Sequence, residues 1–163
     1  MALETDLQLL ARHMTEQLEL AKPEIFIPGD PQQPVFRAVA YGEPKLVTAW
    51  PHLSVQPIEK RRDLREGATR KFRIEFRIDL FLYHGEVGQT LGVQEMTHQR
   101  AEALDKWFQK DFKWNFVDAA DHAKDKVIFG MVTMVDHPVV IPPGDALWSA
   151  SRLQLEGLSE ELF

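Results

Sequence analysis

The densest run of chemistry-bearing residues is DAADHAKDK, residues 118–126. Asp118, Asp121, His122 and Asp125 offer carboxylate oxygens and an imidazole, the donors a divalent ion or a metal-dependent hydrolase would use. Their spacing matches neither the calcium loop of an EF-hand nor the H-E-x-x-H zinc signature. A polar helix turn or loop leading into a strand accounts for the same residues. Six histidines, at 13, 52, 84, 98, 122 and 137, are scattered over different segments. Ser149 and Ser151 lack the glycine frame of a nucleophile elbow. Gly85, Gly88 and Gly92 follow G-x-x-G-x-x-x-G, which is neither dinucleotide-binding nor Walker spacing. The residues select no catalytic set, metal site or cofactor, and the chain reads as a non-enzyme.

The totals bound what else it can be. A chain of 163 residues is most simply one domain, large enough to bury a core without covalent staples. It contains no cysteine, so disulfides, thiolate nucleophiles and Cys-based zinc sites are excluded. MALETDLQLLARHM has no basic segment followed by an apolar run, so no signal peptide is expected. No stretch approaches the roughly 18 apolar residues of a membrane span. A formal charge of −6 argues against a protein that coats DNA, because phosphate neutralisation supplies most of such affinity.

The periodicities order the elements. Leu3, Leu7, Leu10, Met14, Leu18 and Ala21 predict an amphipathic helix over 3–21, stopped by Pro23. The helical segment 1–22 gives way to a proline-rich connector, PEIFIPGDPQQP (23–34). VFRAVAYG (35–42) and KLVTAW (45–50) read as a hairpin. HLSVQPIE (52–59) is a strand that should end at Pro57 or lie at an edge there. Residues 60–70 read as a loop. A second helix spans 92–111, with Val93, Met96, Leu104, Trp107 and Phe108 on one side and Arg100 among the polar residues opposite. VIFGMVTMV (127–135) is apolar on both faces and predicts a central strand. After the stiff turn PVVIPPGD comes ALWSASRLQLE (146–156), a strand whose alternation slips near Ser149–Ser151 as at a bulge. Residues 35–157 thus form the core, and 158–163 a short acidic tail. The expected class is α+β: a mostly antiparallel sheet with two helices packed on one face and a long projecting β-hairpin.

That hairpin would be built on RKFRIEFRIDLFLYHGE, residues 70–86. Phe72, Ile74, Phe76, Ile78, Leu80 and Leu82 fall on one side; Arg73, Glu75, Arg77, Asp79, Phe81 and Tyr83 fall on the other. Fifteen such residues span about 50 Å, more than a compact domain of this size covers. Residues 59–77 hold eight Lys/Arg against four acids, an excess of four positive charges that leaves the rest of the chain at −10. Arg61, Arg62, Arg65 and Arg70 would form a basic tip able to steer binding to an acidic surface, or else a solvated hairpin end. Trp148 is either a core residue packed on Trp107 or Phe108 or an aromatic anchor in a subunit interface.

In order and texture the chain resembles the tail-terminator (tail-completion) proteins of long-tailed bacteriophages. The resemblance rests on the N-terminal helix, the long strand RKFRIEFRIDLFLYH, the helix VQEMTHQRAEALDKWFQ, the apolar strand VIFGMVTMV, and the closing ALWSASRLQLE with its Trp148 and Arg152. The connector and the early hairpin are longer than in the smallest members, which keeps head-side neck or stopper proteins in view. The resemblance implies a homo-oligomeric ring, usually hexameric, at the tail–neck junction of a virion assembled in the host cytoplasm. Such a ring caps the last tail-tube ring, stops polymerisation and presents a docking surface to head–tail connector proteins. DNA passes through its lumen without sequence-specific binding, and no membrane or cofactor is involved. Arg61, Arg62, Arg65, Arg70, Arg73, Arg77, Phe81, Tyr83, Trp148 and Arg152 are then the candidate interface residues toward other subunits or the tube.

Overall fold

The leucine spacing of the first segment folds as α1 (Asp6–Ala21), which buries Leu10, Ala11, Met14, Leu18 and Ala21. A computed structural model describes residues 6–63, 71–87, 93–112, 127–141 and 147–162. Pro23 converts the end of α1 into a short 3₁₀ turn, Lys22–Glu24, because proline fixes φ but cannot continue the helical ladder. The connector is then more ordered than an extended link: β1 (Phe26–Ile27) and β2 (Asp30–Pro34) pair antiparallel around Gly29, whose φ is +84°.

The expected hairpin over 35–50 does not form. β3 (Ala38–Tyr41) instead runs parallel to β4 (His52–Asp63), with Ala38 opposite His52 and Tyr41 opposite Val55. Residues 42–51 carry the chain back, starting at Gly42 with φ +86°. Gly42 donates its backbone N–H to the Val55 carbonyl and accepts from the Ser54 hydroxyl. The segment 45–50 contains no strand, and Val47 and Trp50 fold over the sheet instead.

β4 passes through Pro57 and continues to Asp63. Pairing with β3 stops at Val55, so Pro57 lies where β4 has become an open edge, and no ladder partner lacks a donor there. A bulge between Pro57 and Glu59 leaves Ile58 exposed. β5 (Lys71–Glu86) is the long alternating strand, antiparallel to β4. β8 (Trp148–Leu162) lies along its other side, with Lys71 opposite Leu162 and Glu86 opposite Trp148. Residues 158–162, expected as an acidic tail, therefore continue a strand.

The sheet order is β3-β4-β5-β8-β6, with β7 (Val139–Val140) also on β8. β6 (Val127–Asp136) was expected at the centre and is an edge strand, with Met131, Met134 and Val135 exposed. Apolar residues on both faces of a strand report what lies above and below it, and say nothing of neighbours in the plane.

The class is α+β: α1 and α2 (Val93–Lys110) pack against a mostly antiparallel sheet. Leu53, Val55, Phe76, Ile78, Leu80, Leu82, Leu153 and Leu155 meet Leu10, Met14, Leu18, Leu104, Trp107 and Phe108 in one core. Truncating a fully buried leucine loses transfer energy and leaves a cavity. Leu80→Ala should therefore cost about 2–5 kcal/mol in urea unfolding, whereas the exposed Leu46→Ala should cost less than about 0.5 kcal/mol.

Candidate functional site

The helices cover one face of the sheet. Among the described residues no layer covers the other face over β4, β5, β8 and β6, and most of the expected interface residues meet there. The register arranges them in rows. Glu59, Arg77 and Glu156 lie side by side, with Met131 at the end. Toward the hairpin end, Arg61 stands beside Glu75. In the opposite direction follow Gln56, Asp79, Gln154 and Met134, then Ser54, Phe81, Arg152 and Asp136. A shallow groove of about 280 Å³ opens along Glu59, Arg61, Glu75, Arg77, Met131 and Glu156.

These charges answer one another within the chain. Arg77 donates from Nε and Nη2 to the two Asp79 carboxylate oxygens, each at 3.2 Å. Arg152 grips Asp136 in the same two-pronged way, at 2.9 and 2.6 Å. The hydrogen bond to Asp136 raises the Arg152 pKa despite partial burial, and the Asp136 and Asp79 charges add to the rise. Asp79 is 3% exposed although no helix covers its face. Such burial is tolerable for a carboxylate only when it is paired. Arg61 reaches Glu59 at 3.8 Å in an exposed contact of small energetic weight. Gln154 donates to Glu156 at 3.0 Å.

At one end the same face becomes apolar. Tyr83, Trp148 and Ala150 are buried there, with Val47, Trp50, Phe81 and Val140 packed around them. Trp148 meets Trp50 and Tyr83 edge-on, with ring centroids 5.4 and 5.2 Å away. Phe81 lies nearly parallel to Tyr83 at 6.0 Å. Trp148 thus packs neither on Trp107 nor on Phe108, which belong to the helix-side core. This second cluster explains the slip in the β8 pattern. Apolar residues change from one face to the other at Ala150, while the strand itself continues regularly. The bulge of this region sits in β5, between Tyr83 and Gly85. Burial pushes the Tyr83 hydroxyl up to about 12, against a Gln56 hydrogen bond and with help from Glu43.

Alternation from Leu82 places His84 on the helix side, and the bulge leaves it outside the register with β8. His84 Nε2 and His137 Nδ1 each lie 2.8 Å from the Ser151 hydroxyl, which is fully buried. Arg100 Nη1 is 3.4 Å from His84 Nδ1, and the His98 and His137 rings are 4.1 Å apart. Burial, then Arg100 and the other two imidazoles, hold His84 down to about 3. Burial and His98 lower His137, opposed by Asp136. Burial and Arg37 lower Arg100, whose Nε has no partner. Arg100 was expected on the solvent side of α2. It lies one turn before Leu104, on the face that meets the sheet.

Of the expected interface residues, Arg61, Arg77, Phe81, Tyr83, Trp148 and Arg152 share the face away from the helices, Tyr83 and Trp148 within its apolar end. Arg62 is in register with Ile74, and Arg73 with Asp63 and Glu160. Arg65 and Arg70 lie outside the described residues, as do Asp118, Asp121, His122 and Asp125. Among the described residues no group of three histidine or carboxylate side chains is placed to hold a metal ion. No helix among them is long and apolar enough to cross a membrane. No protein-family model matches the chain, and no curated protein matches it in sequence. The histidine–serine cluster was not legible from spacing, because His84 and Ser151 stand 67 positions apart.

Two variants probe this face. Asp79→Ala leaves Arg77 without its carboxylate in a largely dry position and should cost about 2–4 kcal/mol in denaturant unfolding, whereas Glu75→Ala should cost less than about 0.5 kcal/mol. A tyrosine whose pKa is raised by folding stabilises the fold fully below its ordinary value of 10 and loses that contribution as pH rises through about 12. Tyr83→Phe should remove about 1–2 kcal/mol of the alkaline loss of stability above pH 10, read from melts across that range.

Proposed function

We propose that the chain is a structural assembly protein: a tail terminator whose copies close into a ring, usually of six, at the tail–neck junction. The ring caps the tail tube, stops its polymerisation and offers the head-side connector a docking surface. The observation that carries this reading is the open sheet face, hydrophilic over most of its length, with its arginines held by carboxylates of the same chain and acids in excess.

A wall past which DNA must slide has two requirements. It must be wetted, and it must offer phosphates no basic patch, since each free cation would add salt-sensitive affinity. The face meets both. Its described charged residues are Arg61, Arg77 and Arg152 against Glu59, Glu75, Asp79, Asp136 and Glu156, and both half-buried arginines are already committed to carboxylates. Six copies would carry six times the chain's charge of −6, a field that repels nucleic acid. A non-catalytic role agrees with Ser151, which is fully buried between two imidazoles and out of reach of a substrate.

The contacts that close the ring fall elsewhere on the sheet. Among the described residues, β4 beyond Val55 and β6 each pair with a strand on one side only. Arg61 and Arg62 lie on the first of these, beside the hairpin end. Size-exclusion chromatography with light scattering, together with negative-stain images, tests the proposal. The wild-type chain should elute as a closed oligomer, show an annulus and co-sediment with assembled tail tubes. The triple variant Arg61→Glu, Arg62→Glu, Arg65→Glu should fold but lose at least one of these. A monomer at high concentration with no annulus sinks the ring, and co-sedimentation with portal-side connectors in place of tubes moves the protein to the neck.

A further inference from the structure

The polar cluster under α2 has a built-in direction. A guanidinium only donates hydrogen bonds, so the His84 Nδ1 facing Arg100 at 3.4 Å must accept. The neutral His84 ring then carries its proton on Nε2 and donates to Ser151 Oγ at 2.8 Å. The Ser151 hydroxyl proton then finds its acceptor in His137 Nδ1, also at 2.8 Å. His137 is left with its proton on Nε2. The tautomers follow from donor and acceptor matching along the chain Arg100, His84, Ser151, His137.

Such a relay holds no additional proton. A proton on His84 Nδ1 faces the Arg100 guanidinium, donor against donor and cation against cation. A proton on His137 Nδ1 takes the acceptor away from the fully buried Ser151 hydroxyl. The surrounding groups do little to offset this. Arg37 adds positive charge near Arg100, and Thr97 is neutral. Asp136 is held by Arg152. Glu102 and Asp105 line the outer cavity with His98 and His137, where Glu102 pairs with Lys106 and Asp105 accepts from Gln109.

The cluster also joins separate elements. His84 comes from β5, Ser151 from β8, His137 from the segment after β6, and His98 and Arg100 from the first half of α2. The second half of α2 is held by Leu104, Trp107 and Phe108 in the apolar core, which Met96 and Ala101 of the first half also reach.

We propose that Arg100, His84, Ser151, His137 and His98 form an acid-sensitive latch that fastens the first half of α2 to the sheet and releases it when His84 and His137 are protonated. Release is local, because Leu104, Trp107 and Phe108 keep the rest of the helix seated. The sign follows from linkage. The neutral rings stabilise the closed form fully above an unfolded-state value of 6.5, and this contribution falls as pH drops below it. The latch is independent of the ring proposal, since a monomer would carry it too.

Hydrogen exchange read by mass spectrometry on the full chain, corrected for intrinsic rates, tests the latch. Between about pH 7.5 and about pH 5, protection over residues 96–103 should fall by about tenfold or more, while residues 10–18 of α1 keep theirs. The double variant His84→Gln, His137→Asn keeps an acceptor for Arg100 and hydrogen-bonding partners for Ser151 but removes both depressed imidazoles, so its protection should change by less than about threefold over the same range. An identical pH response in that variant, or equal loss of protection in α1, overturns the latch. A readout on the unaltered protein is also available, because nitrogen-15 spectra report histidine tautomers directly. His84 and His137 should both carry their proton on Nε2 at about pH 7.5, and a proton on Nδ1 of His84 overturns the relay.

Discussion

The antiparallel pairing of β5 with β8 is the constraint from which the rest of this structure follows. It joins Lys71–Glu86 to Trp148–Leu162 along almost their whole length. Leu80 opposite Leu153 and Ile78 opposite Leu155 set the parity, since a slip of one residue would turn Asp79 and Arg77 toward the helices. Parity alone still permits slips of two. Those are disfavoured by the charged row in which Arg77 stands between Glu59 and Glu156. A shift of two in either direction would set Arg77 beside Gln154 or Leu158. Hydrophobic burial chooses the face, and the charge pattern chooses among the registers that burial leaves equal.

This pairing also changes the meaning of the uneven charge along the chain. A basic segment over 59–77 followed by an acidic terminus invites the idea of a patch seeking a partner of opposite sign. In the folded chain the two segments lie side by side in one sheet. Arg77 and Arg152 are held by Asp79 and Asp136, and the rows around them alternate in sign. What remains for another molecule is a nearly balanced, wetted surface, with the exposed Arg61 near its end. Such a surface suits a wall more than an adhesive patch.

How far the sequence carried the fold can be judged element by element. The two helices were legible because their apolar residues recur at three- and four-residue spacing over several turns. β5 was legible because strict alternation persisted to Leu82. The early hairpin was misjudged because a turn signal at Gly42–Pro44 looks the same whether the chain doubles back or crosses over to a parallel neighbour. β6 was misplaced because its composition does not reveal what flanks it in the plane. Arg100 was assigned to the wrong side of α2 because a charged residue on the buried stripe was read as polar decoration. The pairs Arg152–Asp136 and His84–Ser151 depend on which strands become neighbours, and no local pattern specifies that.

The bulge at His84 connects the two faces of the sheet. In a regular ladder, alternation would continue from Tyr83 into Gly85 with every residue matched on β8. Alternation sends Tyr83 into the aromatic cluster with Trp148 and His84 to Ser151 on the opposite side, while the extra residue sets Gly85 opposite Ser149. The apolar end of the open face and the polar cluster under α2 are therefore set back to back on adjacent residues of one strand. A displacement of β5 sufficient to break the His84 contact would also disturb the packing of Tyr83 against Trp50 and Trp148. Chemistry beneath the helix and the shape of the surface opposite are thus tied through two adjacent residues of one strand.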